Sequence, residues 1–207
     1  MGRSAKKLKS SIAKKAASPL GFHGYGPRWT TSNKPFKTPE EMSGLKIRMP
    51  NIQWWVDIWK ELGALPTPIA APEIVTALKT GTVDAQENFL TNIAGRKMWD
   101  YQKYLIATKH IELFQTWLIS AKTWDSFNPA EQKLIQDAVD ETIAYIQPQI
   151  EDLNKQFVQE CKDHGMEVIY PDREAFMEKA KEINKKIIER DLAPGVYEAA
   201  MKAINNK

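Results

Sequence analysis

The sequence predicts an α/β fold, and residues 44–88 carry most of the evidence. Strand-like and helix-like segments alternate there, separated by Pro, Asn or Gly. Successive strand–helix steps are typical of a parallel sheet, whose ligands bind beyond the carboxyl ends of the strands. The predicted strands are residues 45–49, 65–69 and 83–88, and the predicted helices are residues 54–62 and 72–78.

The ends of these segments carry residues with local roles. Asn51 is expected to cap the first helix, and Gly63 and Gly81 are expected to end the two helices. Arg48 alternates with apolar neighbours, so we expect it to point away from the packed face of its strand. Because Arg48 and Asn88 both fall at carboxyl ends of strands, they are candidates for a ligand-binding edge.

The remaining segments are less regular. Residues 23–39 are rich in Gly, Pro and Ser and are predicted to form a loop that contains Arg28. This loop is either a simple surface connection or part of a site. The other predicted elements are a helix over 90–105, strands over 114–120 and 168–170, and two amphipathic helices in the tail, around Pro194 and Gly195.

The most regular segment is the helix predicted for residues 128–164. Asn128 and Glu131 form a capping-box pattern, Pro129 suits the first turn, and Gly165 is a stop signal. At ~1.5 Å per residue it would extend on the order of 50 Å. Pro148 should kink it. An ordinary kinked core helix and a helix that connects two lobes both fit this pattern.

Composition fits one soluble body or two small lobes, with 43% hydrophobic and 27% charged residues in 207. The net charge of +3 arises near the start, where residues 1–22 hold basic residues but no acid. We read this segment as a solvated helix face, with a nucleic-acid or membrane arm as the alternative. No apolar run typical of a signal peptide follows before Pro19, and no transmembrane segment is predicted.

Catalysis has little support in the sequence. Cys161 lies on an apolar helical stripe, where a cysteine is usually a small core residue. His23, His110 and His164 are scattered, and no motif for metal, phosphate or nucleophilic chemistry is found. We therefore predict a protein that is not an enzyme and that needs no cofactor or metal.

Binding of an acid has better physical support. A guanidinium holds a carboxylate through two parallel hydrogen bonds, which makes Arg48 a candidate, although an arginine at a strand end is often only a surface charge. Several motifs in order resemble the solute-binding proteins of TRAP (tripartite ATP-independent periplasmic) transporters, of the dicarboxylate-binding type. They are KTPEEMSGLKIRMP at 37–50, ELGALPTP at 61–68 and ALKTGTVDAQEN at 77–88.

The resemblance implies a periplasmic-binding-protein-like, two-lobed α/β fold with a long kinked interlobe helix. The N-terminal lobe would be largely missing, because the chain would begin partway through such a protein. The implied organisation is a basic helix and strand remnant of the first lobe (1–22), the second, ligand-binding lobe (23–113), a return segment with the start of the long helix (114–153), and the helix end with the C-terminal helices (154–207). The return segment would expose apolar residues, among them Leu118 and Val139, that normally pack on the first lobe.

The resemblance also implies a site. Arg48 would make the bidentate salt bridge to a carboxylate, Asn88 would add an amide donor, and Arg28 would supply a second positive contact. Trp54, Trp55 and Phe89 would line an apolar wall, although each is equally well explained as a core residue. Ala71, Pro72 and Phe89 depart from the family pattern, which leaves the shape of the ligand open.

The implied function is the extracytoplasmic solute-binding component of a TRAP transporter. Such a component captures an organic acid in the periplasm and delivers it to the membrane permease, with no role for nucleic acid. The alternative is a non-enzymatic interaction module whose basic N-terminal arm contacts an anionic partner. With half a cleft, we expect the chain alone to bind organic acids weakly, because an exposed ion pair contributes little.

Overall fold

The computed structural model describes residues 17–192 and 194–205, so the predicted basic helix lies outside the described residues. The chain divides into two compact units. Of the described residues, one contains 17–27 together with Ile111–Phe157, and the other contains Arg28–His110 and the described residues from Val158 onward. These boundaries lie three to five residues from those predicted. The assignment of the segments to functional lobes stays a prediction.

Seven strands lie in the described part of the chain, and six of them form one path of neighbours in the order β3-β2-β4-β1-β5-β7. β2 runs parallel to β3 and β4, and β5 runs parallel to β7, whereas β1 is antiparallel to β4 and β5. The strands are β1 (Ala17–Ser32), β2 (Lys46–Met49), β3 (Leu65–Pro68), β4 (Ala85–Phe89), β5 (Tyr104–Ile106), β6 (Glu112–Ser120) and β7 (Glu167–Ile169).

The described helices include eight α-helices and four short 3-10 turns. The α-helices are α1 (Gln53–Glu61), α2 (Ile74–Lys79), α3 (Leu90–Gly95), α4 (Ala121–Ser126), α5 (Pro129–Ile146), α6 (Ile150–Asp163), α7 (Arg173–Asp191) and α8 (Val196–Asn205). The 3-10 turns are Glu40–Met42, Ala71–Glu73, Met98–Asp100 and Gln147–Gln149. No helix of the described residues is both long and apolar enough to cross a membrane.

The predicted parallel α/β arrangement of residues 44–88 is confirmed, with two corrections. Arg48 does not point to solvent: only 3% of it is exposed, and the neighbouring Ile47 and Met49 are buried too. β2 lies between β3 and β4, so both of its edges are paired. Because residues of both orientations are buried, both of its faces are covered as well, and the alternating pattern misleads. Asn51 does not cap α1, whose N-cap residue is Ile52 and makes no side-chain cap bond.

The predicted loop over residues 23–39 is also wrong in its first part, because β1 continues to Ser32. The first part of β1 pairs with β6 in one unit, and its end pairs with β4 and β5 in the other. Register shifts at Pro19/Gly21 and Gly24/Gly26 let the strand accommodate its prolines and glycines. Gly26 has φ +96, a backbone conformation that other residues rarely adopt.

A single helix over residues 90–105 is not found either. α3 ends at Gly95, Lys97 adopts a left-handed conformation with φ +49, and β5 begins at Tyr104. Pairing of β5 with β1 and β7 takes precedence over the local helical pattern.

The long helix has the predicted ends and the predicted break. The side chain of Asn128 accepts hydrogen bonds from the backbone of Ala130 and Glu131, and the Glu131 side chain completes the capping box. The 3-10 turn that contains Pro148 separates α5 from α6. Gly165, with φ +87, follows α6.

The unit built from β6 and α5 has a small core and exposes apolar side chains. Leu118 is 54% exposed, as expected, and Phe114 is 66% exposed. Val139 was expected to be exposed but is buried, because it lies against Gly21 of β1.

Candidate functional site

A cavity of about 590 Å³ lies at the carboxyl ends of the parallel strands β2, β3 and β4. This is the edge at which the sequence predicts a ligand. Three arginines and three asparagines face it, and none of the described lining residues is acidic. The lining residues are Arg28, Arg48, Pro50, Asn51, Pro68, Ile69, Ala70, Ala71, Asn88, Asn92 and Arg96.

Arg48 is a buried cation with few partners. Its Nε donates a hydrogen bond to the carbonyl oxygen of Ile69 at 2.8 Å. Within residues 17–192 and 194–205 the side chain of Arg48 has no other hydrogen bond and no ion pair. Burial lowers the pKa of Arg48 to about 10; the positive charges of Arg28 and Arg96 act in the same direction, and the negative charge of Glu87 opposes them. The guanidinium is still charged at neutral pH, with its Nη donors available to a ligand.

Arg28 has a different environment, because it already holds a carboxylate. Its Nε and Nη2 donate to the two carboxylate oxygens of Glu87, with Nη2 at 2.9 Å from Oε1. Nη2 also reaches the backbone oxygen of Glu87 at 3.0 Å. The two residues lie two pairs apart on neighbouring antiparallel strands, with Arg28 opposite Phe89 and Thr30 opposite Glu87, so their side chains share one face of the sheet.

Glu87 is fully buried and has a second partner in His110, whose Nε2 donates to Oε2 at 3.0 Å. The other ring nitrogen of His110 lies 2.9 Å from the hydroxyl oxygen of Thr108. Burial raises the pKa of Glu87, but the hydrogen bonds and charges of His110 and Arg28 outweigh it, so the pKa lies below its ordinary value. Glu87 is therefore ionised at neutral pH, and its charge offsets that of Arg28.

Two of the three predicted aromatic residues, Trp55 and Phe89, contact Arg28 rather than the cavity. The guanidinium carbon of Arg28 lies 4.8 Å from the ring centroid of Trp55 and 4.6 Å from that of Phe89. Trp54 stacks on Trp55, with ring centroids 5.0 Å apart. None of the three belongs to the described lining of the cavity. Trp55 and Phe89 restrain the Arg28 side chain, and a role for the three aromatic residues as an apolar wall stays a prediction.

Asn88 presents a donor to the cavity because its oxygen is already occupied. Its Oδ1 accepts hydrogen bonds from the backbone N–H of Phe89 at 3.1 Å and from Nδ2 of Asn92 at 2.9 Å. A backbone N–H can only donate, so this bond fixes which end of the Asn88 amide is oxygen. The NH2 group has no protein partner among the described residues and can donate to a ligand.

Sequence reasoning missed Glu87, His110, Asn92 and Arg96. The signal for Glu87 was its place in the middle of β4, since an acid in a buried strand needs a cationic partner. Arg96 directly follows α3, but the sequence predicts a helix that continues to residue 105, which places Arg96 inside a helix rather than at its end.

Other chemistry is not supported by the described residues. They contain no cluster of three or more His, Cys, Asp or Glu side chains that could hold a metal ion. Cys161 is buried, and burial raises the pKa of its thiol to about 12, so it stays protonated and a poor nucleophile.

Comparisons with known proteins agree on one family. The family model described as bacterial extracellular solute-binding protein, family 7, matches residues 1–191. The sialic acid-binding periplasmic protein of Vibrio cholerae is 36% identical over 161 residues, which is 78% of this chain and 50% of that protein. The chain spans about half the length of the curated relatives it matches.

Two solved structures are similar over nearly all of this chain. A TRAP periplasmic solute-binding protein from Roseobacter denitrificans, with bound L-galactonate, has a TM-score of 0.82 and 28% identity, and the match covers 97% of this chain and 66% of that one. One from Fusobacterium nucleatum, with bound sn-glycerol-3-phosphate, has a TM-score of 0.89 and 27% identity, and the match covers 99% of this chain and 66% of that one.

Proposed function

The chain belongs to family 7 of the bacterial extracellular solute-binding proteins, and from this premise we propose that it binds an organic acid in the periplasm for a TRAP transporter. In this proposal the loaded protein delivers the acid to the membrane permease. The family consists of solute-binding proteins rather than enzymes, in agreement with the prediction that the chain is not an enzyme.

The observation that carries the proposal is the buried and uncompensated guanidinium of Arg48 at the edge of the parallel strands. A buried charge without a partner is unfavourable, and a carboxylate that accepts two N–H bonds relieves this cost. The NH2 group of Asn88 faces the same cavity and adds a donor to the same carboxylate. Arg28 lines the same cavity, where Glu87 holds it in place and offsets its charge.

The ligands of similar proteins support the same chemical class. The structures from Roseobacter denitrificans and Fusobacterium nucleatum contain L-galactonate and sn-glycerol-3-phosphate, which are both anions with hydroxyl groups. Hydroxyl groups on such an acid suit the cavity, because Oδ1 of Asn92 has no protein donor among the described residues.

Arg48 provides the first test. The side-chain Nε–Hε resonances of arginine, followed by NMR during titration of the 207-residue chain with succinate and galactonate, report binding even at millimolar affinity. We expect the Arg48 resonance to shift and saturate. Arg48→Gln should weaken binding by at least about thirtyfold, which corresponds to the lower end of the 2–5 kcal/mol expected for a buried charged pair.

Arg48→Lys should not restore binding, since it keeps the charge but loses the planar fork. Arg173→Gln, which removes an exposed arginine at the start of α7, is the matched control and should leave the titration unchanged. Wild-type affinity in Arg48→Lys would contradict the bidentate contact, and no response of Arg48 to any acid would contradict the proposed function.

A further inference from the structure

Arg96 is a third arginine on the cavity, and the contact with carboxylate assigned to Arg48 and Asn88 leaves it without a role. It is half-buried, and its Nη1 donates to the carbonyl oxygen of Ala71 at 2.6 Å. Its side chain has no other hydrogen bond and no ion pair within the described part of the chain.

Arg48 and Arg96 approach the same short loop from different elements. Arg48 of β2 is tied to the carbonyl of Ile69, and Arg96 beyond α3 is tied to the carbonyl of Ala71. These two carbonyls belong to residues two apart, so their positions differ by about 7 Å at most along the chain. Each guanidinium lies within one hydrogen bond of its carbonyl, so both groups border the same loop and the same cavity, where one small ligand with two anionic groups can reach both.

The charges of the cavity lead to the same conclusion. The cavity has three arginines, and the charge of one of them, Arg28, is offset by the buried carboxylate of Glu87, which binds Arg28 through both oxygens. The positive charges of Arg48 and Arg96 remain uncompensated among the described residues. Their proximity is unfavourable in the absence of an anion, as the effect of Arg96 on Arg48 shows, since it lowers the pKa of that group. A ligand with one anionic group would neutralise only one of these two charges.

We propose that Arg96 forms a second anion-binding position in this cavity, so that the preferred ligand carries two anionic groups. One group is bound by Arg48 and Asn88, and the other is bound by Arg96. The second group is a carboxylate or a phosphate, which share the geometry that a guanidinium recognises. This inference rests on the proposed function, because it assumes that an organic acid binds at Arg48.

The test compares ligands with and without a second anionic group. Succinate and succinamate share a skeleton, but one carboxylate of succinate is a neutral amide in succinamate. 3-Phosphoglycerate and glycerate form a second pair for the phosphate case. Each ligand is titrated into the 207-residue chain at constant ionic strength, because exposed charges are screened by salt. The Nε–Hε resonances of Arg48 and Arg96 are followed by NMR.

We expect the unmodified chain to bind the ligand with two anionic groups, succinate or 3-phosphoglycerate, about five- to tenfold more tightly than its partner in at least one pair. This is the effect of one partly exposed ion pair. In Arg96→Gln this preference should fall below about twofold, while the affinity for the monoanionic member stays the same. Glutamine keeps an N–H donor for the loop, so the variant removes chiefly the charge. Arg96→Lys should keep most of the preference.

The possible outcomes separate the two proposals. If Arg48 responds to both members of each pair and Arg96→Gln leaves the preference intact, the second position is wrong and the proposed function stands. Equal weakening of both members in Arg96→Gln would mean that Arg96 only holds the loop, which also overturns the inference. If Arg48 responds to neither member of any pair, the proposed function fails and the inference fails with it.

Discussion

Glu87 determines which arginines of the cavity are available to a ligand. It binds Arg28 through both carboxylate oxygens and also accepts a hydrogen bond from His110. Arg28 is therefore held in one position, between the rings of Trp55 and Phe89. Arg48 has no such partner, so the same residue type has two roles on one cavity: Arg28 is fixed and compensated, and Arg48 is open to a ligand.

Replacing Glu87 should destabilise the protein. Glu87→Gln keeps the shape of the side chain but leaves Arg28 without a counter-charge in a buried site, which costs about 3 kcal/mol of unfolding free energy. The pKa of Glu87 is lowered in the folded state, so its contribution is present above its ordinary pKa of 4.5 and is lost as the pH falls through the lower folded value.

Urea unfolding at several pH values measures this effect. The stability difference between the wild type and Glu87→Gln should be full near pH 7 and should shrink below about pH 4.5. Glu73→Gln, at an exposed position of the same unit, is the control and should change stability by less than about 0.5 kcal/mol. A difference that does not depend on pH would rule out the ion pair as its cause.

At the level of elements, local sequence patterns predict the structure correctly where interactions between neighbouring residues determine it. The capping residues Asn128 and Glu131, the break at Pro148 and the stop at Gly165 all act through their own backbone and were predicted correctly. Patterns failed where pairing of distant segments decides. β1 continues past Phe22 because β4 and β5 pair with its end, information that is absent from residues 23–32 themselves.

The capping box at the start of α5 gives a prediction for a single element. Asn128→Ala removes the acceptor for the backbone N–H groups of Ala130 and Glu131 and should cost about 1 kcal/mol of stability. Glu141→Ala, at an exposed position in the middle of the same helix, is the control. Urea unfolding followed by circular dichroism measures both variants. Equal stability of Asn128→Ala and the wild type would show that the capping box does not contribute to the free energy of unfolding.

At the scale of the whole molecule, the fold class was accessible from periodicity alone, and so was the edge of the sheet at which a ligand is expected. The roles of single residues were not, because Arg48 at a strand end also fits an ordinary surface charge, and only the resemblance to a family favoured its role in binding. Glu87 and Arg96 were missed because their meaning depends on neighbours far away in sequence: Arg28 lies 59 residues from Glu87, and Ala71 lies 25 residues from Arg96.

The distribution of exposed apolar side chains also has a consequence for the whole chain. Phe114 and Leu118 are 66% and 54% exposed and lie four residues apart on β6, so they share one face of the strand. β6 pairs only with β1 among the described strands, which leaves its other edge open. An open strand edge with apolar side chains favours association between chains.

We therefore expect the 207-residue chain to self-associate through β6 at micromolar concentration. Replacing both Phe114 and Leu118 by Lys adds charge to the exposed face and should shift the population towards monomer. The dissociation constant should rise by at least about tenfold, because two apolar side chains of this exposure contribute roughly 1–2 kcal/mol or more to association. Tyr170→Ser is the matched control, because Tyr170 is also 66% exposed but lies in the other unit. Sedimentation velocity over a range of concentrations measures the change; a wild-type chain that stays monomeric throughout that range would contradict the prediction, as would equal effects of the control and the double variant.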